Sequence, residues 1–185
     1  MPIPTSRSWP KPVLAAYPPS KGGESARAQG VVLDFPIPDR TSTADVRRVQ
    51  SVLFVSLTDA VLSRMAEGLA RGPFANLGLT THSAGLHSRP LHAMAATVMA
   101  EAGIELPPTP GVCARRLDLT QFDVVVSIGV HKLGLARDQL ALRWIVPESL
   151  HPDYGVSSTS LQGLRDDLTR QIHGLAALLR ATHRL

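Results

Sequence analysis

An alternation of short apolar runs with amphipathic stretches is the sequence feature that most constrains how this chain can fold. The first run, residues 52–55, contains four consecutive apolar residues, which is typical of a central strand in a parallel sheet. The segment after it carries apolar residues at helical spacing from Leu62 to Leu69 and stops at Gly72, and Thr58 or Asp59 is predicted to cap that helix. This opening unit predicts a strand, a loop and a helix in succession.

Three further strands and three further helices follow the same alternation. The closing helix is the clearest, because its apolar residues from Leu161 to Leu179 fall on one face and possible capping residues, 158–160, precede it. Such an alternation predicts a three-layer, doubly wound α/β fold with a four-stranded parallel sheet. Ligands in these sheets bind beyond the carboxyl ends of the strands, which places a candidate site at residues 56–63. The further strands are predicted over 79–84, 122–128 and 142–146, and the helices between them over 91–102 and 130–140.

The first 48 residues differ in composition from the rest of the chain. Eight of the 15 prolines precede residue 40, beside a polar mixture of residues, so we predict that residues 1–30 are extended or disordered. Residues 31–36 are an exception, because Val31, Leu33 and Phe35 could dock on the body, either as a covering segment or as an edge strand. We therefore divide the chain into a Pro-rich N-terminal arm, 1–48, and an α/β domain, 49–185.

Charge, cysteine content and hydropathy exclude several classes of protein. The net charge of +4 is divided into +3 on the arm and +1 on the domain, a weak signal for nucleic acid, which needs clustered charge. No apolar run approaches the ~20 residues of a membrane helix, so we expect no membrane partner. The single cysteine, Cys113, permits no internal disulfide and no cysteine-based metal cluster, which predicts a cytoplasmic protein. We expect no cofactor and no metal, because His82, His87 and His92 recur at intervals that match neither helix nor strand.

Several phrases of the domain, in order, resemble the low-molecular-weight protein tyrosine phosphatases and the similar thioredoxin-coupled arsenate reductases. The resemblance covers most of the domain and implies the fold of that family. It also implies where the reaction chemistry would lie, in a phosphate-binding loop at the end of the first strand. The phrases are residues 52–55 followed by Ser63 and 65–68, then 83–85, 90–106, 114–117 and 122–126.

The resemblance also implies that the catalytic loop of this chain is degenerate. Members of the family use a cysteine thiolate and, six residues later, an arginine, around a nest of backbone N–H groups that holds the phosphate oxygens. Ser56 stands at the cysteine position and Leu62 at the arginine position. Asp59 stands where the family usually has an asparagine, and we expect its carboxylate to face the anion site. Of the motif, only Ser63 matches, and Arg64 is rotated by roughly 200° from the arginine position.

The family's remaining catalytic groups are also imperfectly represented. The general acid of the family is an aspartate in an Asp-Pro pair after the last strand, and the vestigial candidates here are Glu148 and Asp153. Arsenate reduction needs two or three cysteines in relay, whereas Cys113 is alone.

These substitutions lead to the hypothesis of a catalytically inactive protein that acts as a protein-binding or regulatory module. The altered loop, with Leu57, Val61 and Leu62, and the arm, with its apolar residues 31–35, are the predicted interface. The partner would be an unidentified protein or a second copy of the chain in a homodimer. Two alternatives remain: an active hydrolase with an unconventional nucleophile, and a nucleic-acid accessory protein that uses the basic arm.

Overall fold

The computed structural model describes residues 49–130, 133, 135, 139–146 and 157–182. Two short 3-10 turns, Ala114–Arg116 and Leu119–Gln121, precede the third strand. The arm, its proposed docking segment and its boundary with the domain lie outside the described residues. The strands are β1 (Ser51–Thr58), β2 (Thr80–His87), β3 (Val124–Ile128) and β4 (Leu140–Trp144), and the helices are α1 (Leu62–Ala75), α2 (Ala93–Glu101) and α3 (Ser158–Thr182).

The four strands form one parallel sheet in the order β2-β1-β3-β4, which confirms the predicted fold class. β1 is central, and its Val52 pairs with Thr81 on one side and with Val124 on the other. The chain therefore moves from β1 outward to β2 and then returns past β1 to β3. This reversal of direction makes the carboxyl end of β1 the place where a crevice is expected in such sheets.

Both faces of β1 are buried, which explains its uninterrupted apolar run. Val52 and Phe54 belong to the main core between the sheet and the helices, together with Met65 of α1 and Trp144 of β4. Leu53 and Val55 point the other way, into a smaller core beneath the 3-10 turns. Side chains alternate across a strand, so a strand covered on both faces needs apolar residues at every position.

The ends of the elements differ from the sequence predictions in informative ways. β1 continues to Thr58, three residues beyond the predicted strand, and α1 ends at Ala75 rather than at Gly72. The predicted cap of α1 is wrong: the N-cap residue is Val61, and no side chain donates or accepts a capping hydrogen bond there. β4 begins at Leu140, two residues before the predicted start. The helix predicted over 130–140 falls mostly outside the described residues, and its last residue belongs to β4.

At two element starts, side-chain oxygens act as caps. Ser157 accepts the Ser160 N–H at 3.0 Å, one residue before the predicted cap cluster of α3. Asp118 accepts the Thr120 N–H at 3.1 Å at the start of the second 3-10 turn. Hydrogen bonds from the Thr120 side chain and backbone hold the pKa of the Asp118 carboxyl below its usual value. Within the described part of the chain, no helix combines the length and the apolar character needed to cross a bilayer.

Candidate functional site

The candidate site lies where β1 gives way to α1, at residues 56–63. β1 stays paired with β2 through this region, because Ser56 pairs with Gly85 and Thr58 with His87. The Asp59 N–H then donates to the His87 carbonyl at 3.3 Å. A nest that binds phosphate needs backbone N–H groups that converge on the anion. Here this part of the loop is bonded to the neighbouring strand.

Gly85 allows this close pairing. A Cβ atom at Gly85 would lie 2.1 Å from the backbone nitrogen of Asp59 and 2.6 Å from the carbonyl oxygen of His87. Both neighbours are backbone atoms, which cannot turn aside as a flexible side chain would. Only glycine fits at this position, and the sequence did not show that the loop itself would pack against it.

Three polar side chains form a buried chain of hydrogen bonds inside the loop. The Ser56 hydroxyl lies 2.8 Å from Ser63 Oγ, and Ser63 Oγ donates to Asp59 Oδ1 at 2.8 Å. The Ser63 N–H also donates to Ser56 Oγ at 3.2 Å, and the Thr58 carbonyl lies 2.9 Å from the same oxygen. Ser56 is 1% exposed, and Asp59 and Ser63 are fully buried. The hydroxyl at the nucleophile position is thus surrounded by partners that belong to the protein.

The Asp59 carboxylate points into the protein, so the expectation that it faces an anion site is wrong. Its Oδ1 accepts from Ser63 and its Oδ2 accepts the Val112 N–H at 2.8 Å. Arg64 Nη1 lies 3.9 Å from the same Oδ2. Burying a carboxylate costs free energy unless such donors and a cation surround it. Asp59 therefore fastens the loop to a distant segment.

That segment is residues 107–113, called the strap below. The buried Arg64 guanidinium donates to Thr109 Oγ1 at 3.1 Å, to the Thr109 carbonyl at 3.4 Å and to the Pro107 carbonyl. The Gly85 N–H donates to the Val112 carbonyl at 2.8 Å, and Gly85 also forms a parallel bridge with Cys113. Arg64 is committed to the strap and does not supply the missing catalytic arginine.

Two of the predicted interface residues are buried in the main core, which corrects the idea of an exposed apolar loop. Val61 and Leu62 are each 3% exposed and pack with the side chains of α1 and the sheet. Leu57 is only partly buried. Leu62 points into the core because the first turn of α1 presents that side toward the sheet. The other interface candidates, Val31, Leu33 and Phe35, lie outside the described residues.

Sequence reasoning missed the strap and its contacts. Gly111 brings the strap against the start of the β2–α2 connection, because a Cβ there would lie 2.2 Å from the Arg89 carbonyl oxygen. The available signal was the run of prolines and glycine at residues 107–111, which indicates a rigid turn but not what it packs against. A second missed pair is buried beside the loop, where Ser83 Oγ donates to Glu67 Oε2 at 2.6 Å.

The remaining candidates that the structure describes are three histidines and Cys113. Glu148 and Asp153 fall outside the described residues. His82 lies in β2, His87 ends it, and His92 precedes α2. Over the parts of the chain that the structure describes, no group of three His, Cys, Asp or Glu side chains is placed to hold a metal ion. Cys113 is half-buried, with its Sγ 3.4 Å from the Leu86 carbonyl oxygen.

Comparisons with known proteins agree with this architecture. Residues 51–182 match the family model of the low molecular weight phosphotyrosine protein phosphatases. An arsenate reductase in the phosphate-binding state superimposes with a TM-score of 0.61 at 26% identity, over 70% of this chain and 98% of that one. A YwlE mutant from Bacillus subtilis superimposes with a TM-score of 0.57 at 22% identity, over 71% and 99% of the two chains. Among curated proteins compared by sequence, none matches this chain significantly.

Proposed function

Because the chain belongs to the low molecular weight phosphotyrosine protein phosphatase family, we propose that it is a catalytically inactive member that acts as a protein-binding or regulatory module. The observation that carries the proposal is the buried hydrogen-bond chain from Ser56 through Ser63 to Asp59. It places a neutral hydroxyl at the position of the family's thiolate and surrounds it with the protein's own groups.

The chemistry of phosphoryl transfer supports the proposal. A serine hydroxyl is a poor nucleophile unless a base or cation activates it, whereas a cysteine thiol ionises far more readily to the nucleophilic thiolate. Leu62, buried in the core, stands where an arginine would neutralise the charge that develops on the phosphoryl oxygens. Removing a single preorganised donor of this kind typically costs 10²–10³ in rate. Both losses act on the same step.

The surface left for binding is smaller than the sequence indicated. Since Val61 and Leu62 face the core, the outer side of the loop offers the partly buried Leu57 and Ala60, and the exposed strap residues Pro108 to Pro110 continue it. A surface of small apolar groups next to prolines suits contact with protein more than contact with phosphate. We propose a second protein chain as the partner, either an unidentified one or another copy of this chain.

One observation favours a second candidate function, a hydrolase that uses Ser56. The Asp59 carboxylate is connected to Ser56 through a single hydroxyl, that of Ser63, so a proton could in principle pass from Ser56 toward a base. Against it stands the 1% exposure of Ser56, which leaves no approach for a substrate in this conformation.

A phosphatase assay separates the two candidates. We expect the full chain to release no more para-nitrophenol from para-nitrophenyl phosphate than a buffer blank does, and the same for phosphotyrosine peptides. Ser56→Ala is the matched control, because it removes the hydroxyl, and circular dichroism checks that this variant is still folded. Turnover above the blank that Ser56→Ala abolishes would establish the hydrolase instead.

The same assay on a repaired loop tests the physical reason. Ser56→Cys with Leu62→Arg restores both family residues, yet we expect no recovery, because Asp59 and the β1–β2 pairing still hold the loop closed. Because Leu62 is buried in the core, an arginine there can itself unfold the domain, so circular dichroism first establishes whether the double variant is folded. Ser56→Cys alone, which leaves Leu62 in place, is assayed beside it. Phosphatase activity in this double variant would show that the two substitutions alone account for the inactivity.

A further inference from the structure

A groove of about 520 Å³ opens beside the strap, between it and the connection from β2 to α2. We call it the strap groove. Its volume falls within the range of ordinary ligand pockets. Its apolar lining includes Pro90, Leu91, Ala96, Pro108 and Pro110.

The walls of the strap groove are held in place before anything binds. Prolines at 90, 108 and 110 restrict the backbone on both sides. Gly111 allows the strap backbone to touch that of Arg89, and the Ser88 hydroxyl donates to the Gly111 carbonyl. Arg64 anchors the other end of the strap through Thr109. A preformed groove spares an occupant much of the cost of ordering its site.

The charge of the groove indicates the kind of occupant. Among the described residues that line it, Arg89 alone is charged, and it is exposed at the rim. Apolar walls with one cation at the rim suit an extended peptide that has apolar side chains on one side and a carboxylate on the other.

We propose that the occupant is the segment 31–36 of this same chain. Val31, Leu33 and Phe35 occur at every second position, so in an extended peptide they share one side. Asp34 falls on the opposite side, where it can meet Arg89 at the rim. Pro36 removes a backbone donor that the apolar groove could not satisfy.

The length of the connecting chain permits this docking. The groove adjoins the carboxyl ends of β1 and β2, and the chain enters β1 at the opposite end, about 26 Å away for eight residues of strand. The twelve residues 37–48 form a connection with a root-mean-square length of about 19 Å if flexible, and about twice that when extended. A linker whose length is close to the span gives a millimolar effective concentration, so even a site of millimolar affinity would be about half filled.

This inference goes beyond the proposed function and does not depend on catalytic inactivity. It assigns the arm a role as an intramolecular cover for the surface that a partner chain would otherwise contact. Binding of a partner would then have to displace the segment, which couples the two events.

Hydrogen–deuterium exchange on the full chain tests the proposal. We expect Phe35→Asp to accelerate exchange of the amides of residues 88–96 by about twofold or more, the factor for a site at least half filled. Leu14→Asp is the matched control, because it makes the same change in the arm outside the docking segment, and it should change nothing. Equal exchange in the wild type and Phe35→Asp would overturn the proposal.

Swapped charges and the dependence on protein concentration identify the occupant. Asp34→Arg and Arg89→Asp should each accelerate hydrogen–deuterium exchange of residues 88–96, and the double variant should restore the wild-type exchange rate. Failure to restore it would refute the pairing of Asp34 with Arg89. Protection independent of protein concentration, in a monomer by light scattering, supports docking within one chain. Protection that grows with concentration and accompanies dimers would overturn it in favour of a second copy.

Discussion

Replacing Arg64 by methionine should release the strap and destabilise the whole domain. Methionine keeps much of the length and apolar character of the arginine stem but removes the guanidinium that contacts Asp59 and Thr109. The Asp59 carboxylate would remain buried with its two hydrogen-bond donors, Ser63 and Val112, but without its cation.

The magnitude follows from the geometry. The guanidinium and the carboxylate are 3.9 Å apart and at most 2% exposed, so their attraction is about 4 kcal/mol at an effective dielectric constant of about 20. Removing one partner of a buried pair usually costs about 3–5 kcal/mol. We therefore expect Arg64→Met to lower the free energy of unfolding by about 3 kcal/mol. Adding Asp59→Asn to the Arg64→Met variant should restore about 2 kcal/mol of the lost free energy of unfolding, because the double variant has no unpaired buried charge.

Urea denaturation of the four proteins in this cycle measures the coupling energy, provided that the slope with urea stays constant. Arg71→Met is the matched control, because Arg71 lies two turns further along α1, is exposed and reaches only the Glu105 carbonyl at 3.5 Å. Its effect should stay below about 0.5 kcal/mol. A coupling between positions 59 and 64 below about 0.5 kcal/mol would refute the reasoning, since the pair would then behave like one on the surface.

Four further predictions can be measured with the same material. Gly85→Ala should lower the free energy of unfolding, measured with urea, by about 3 kcal/mol, because its Cβ would meet the Asp59 nitrogen. Gly163→Ala, which has open space around it in α3, should raise it by about 0.5–1 kcal/mol, and equal effects of the two variants would contradict the close packing at Gly85. Millimolar phosphate should leave the melting temperature unchanged, and a rise would show a working anion site, since ligand at 100 times its Kd stabilises by about 2.7 kcal/mol. Circular dichroism should show that Leu62→Asp is unfolded and that Leu57→Asp is folded, because only Leu62 is buried in the core. Two folded variants would contradict the burial of Leu62. The pKa of Asp118 is lower in the folded state, so the ionised carboxyl stabilises the fold above its unfolded-state pKa of about 3.9, and this stability is lost as the pH falls through the folded-state pKa. Asp118→Asn should therefore be less stable than the wild type at pH 7 and equally stable in acid. A constant difference in stability at all pH values would refute this.

The sheet could be predicted from the sequence because its information is local. Residues 52–55 are apolar at every position, as a strand covered on both faces must be, and the helical spacing in α1 and α3 shows which sides are buried. Element ends were less accurate, since the extension of β1 to Thr58 depends on its pairing with β2, a contact with residues far along the chain.

The inside of the candidate site could not be predicted, because its contacts join residues far apart in the chain. Asp59 and Val112 are 53 residues apart, and Arg64 and Thr109 are 45 apart. A carboxylate in a degenerate loop and an arginine in a helix are both expected at the surface, and only the position of the strap makes them interior groups. The resemblance places the altered loop at residues 56–63, but it carries no information on these long-range contacts.

The anchoring of the loop by Asp59 and Arg64 changes what natural variation at this place would do. Active sites usually sacrifice stability for activity, since their polar groups are arranged for a substrate rather than for one another. In this chain the equivalent groups satisfy one another, so the loop contributes to folding. Inherited changes here would therefore reduce the amount of protein in the cell, and a survey of variants by abundance would mark residues 56–64 as strongly as the hydrophobic core.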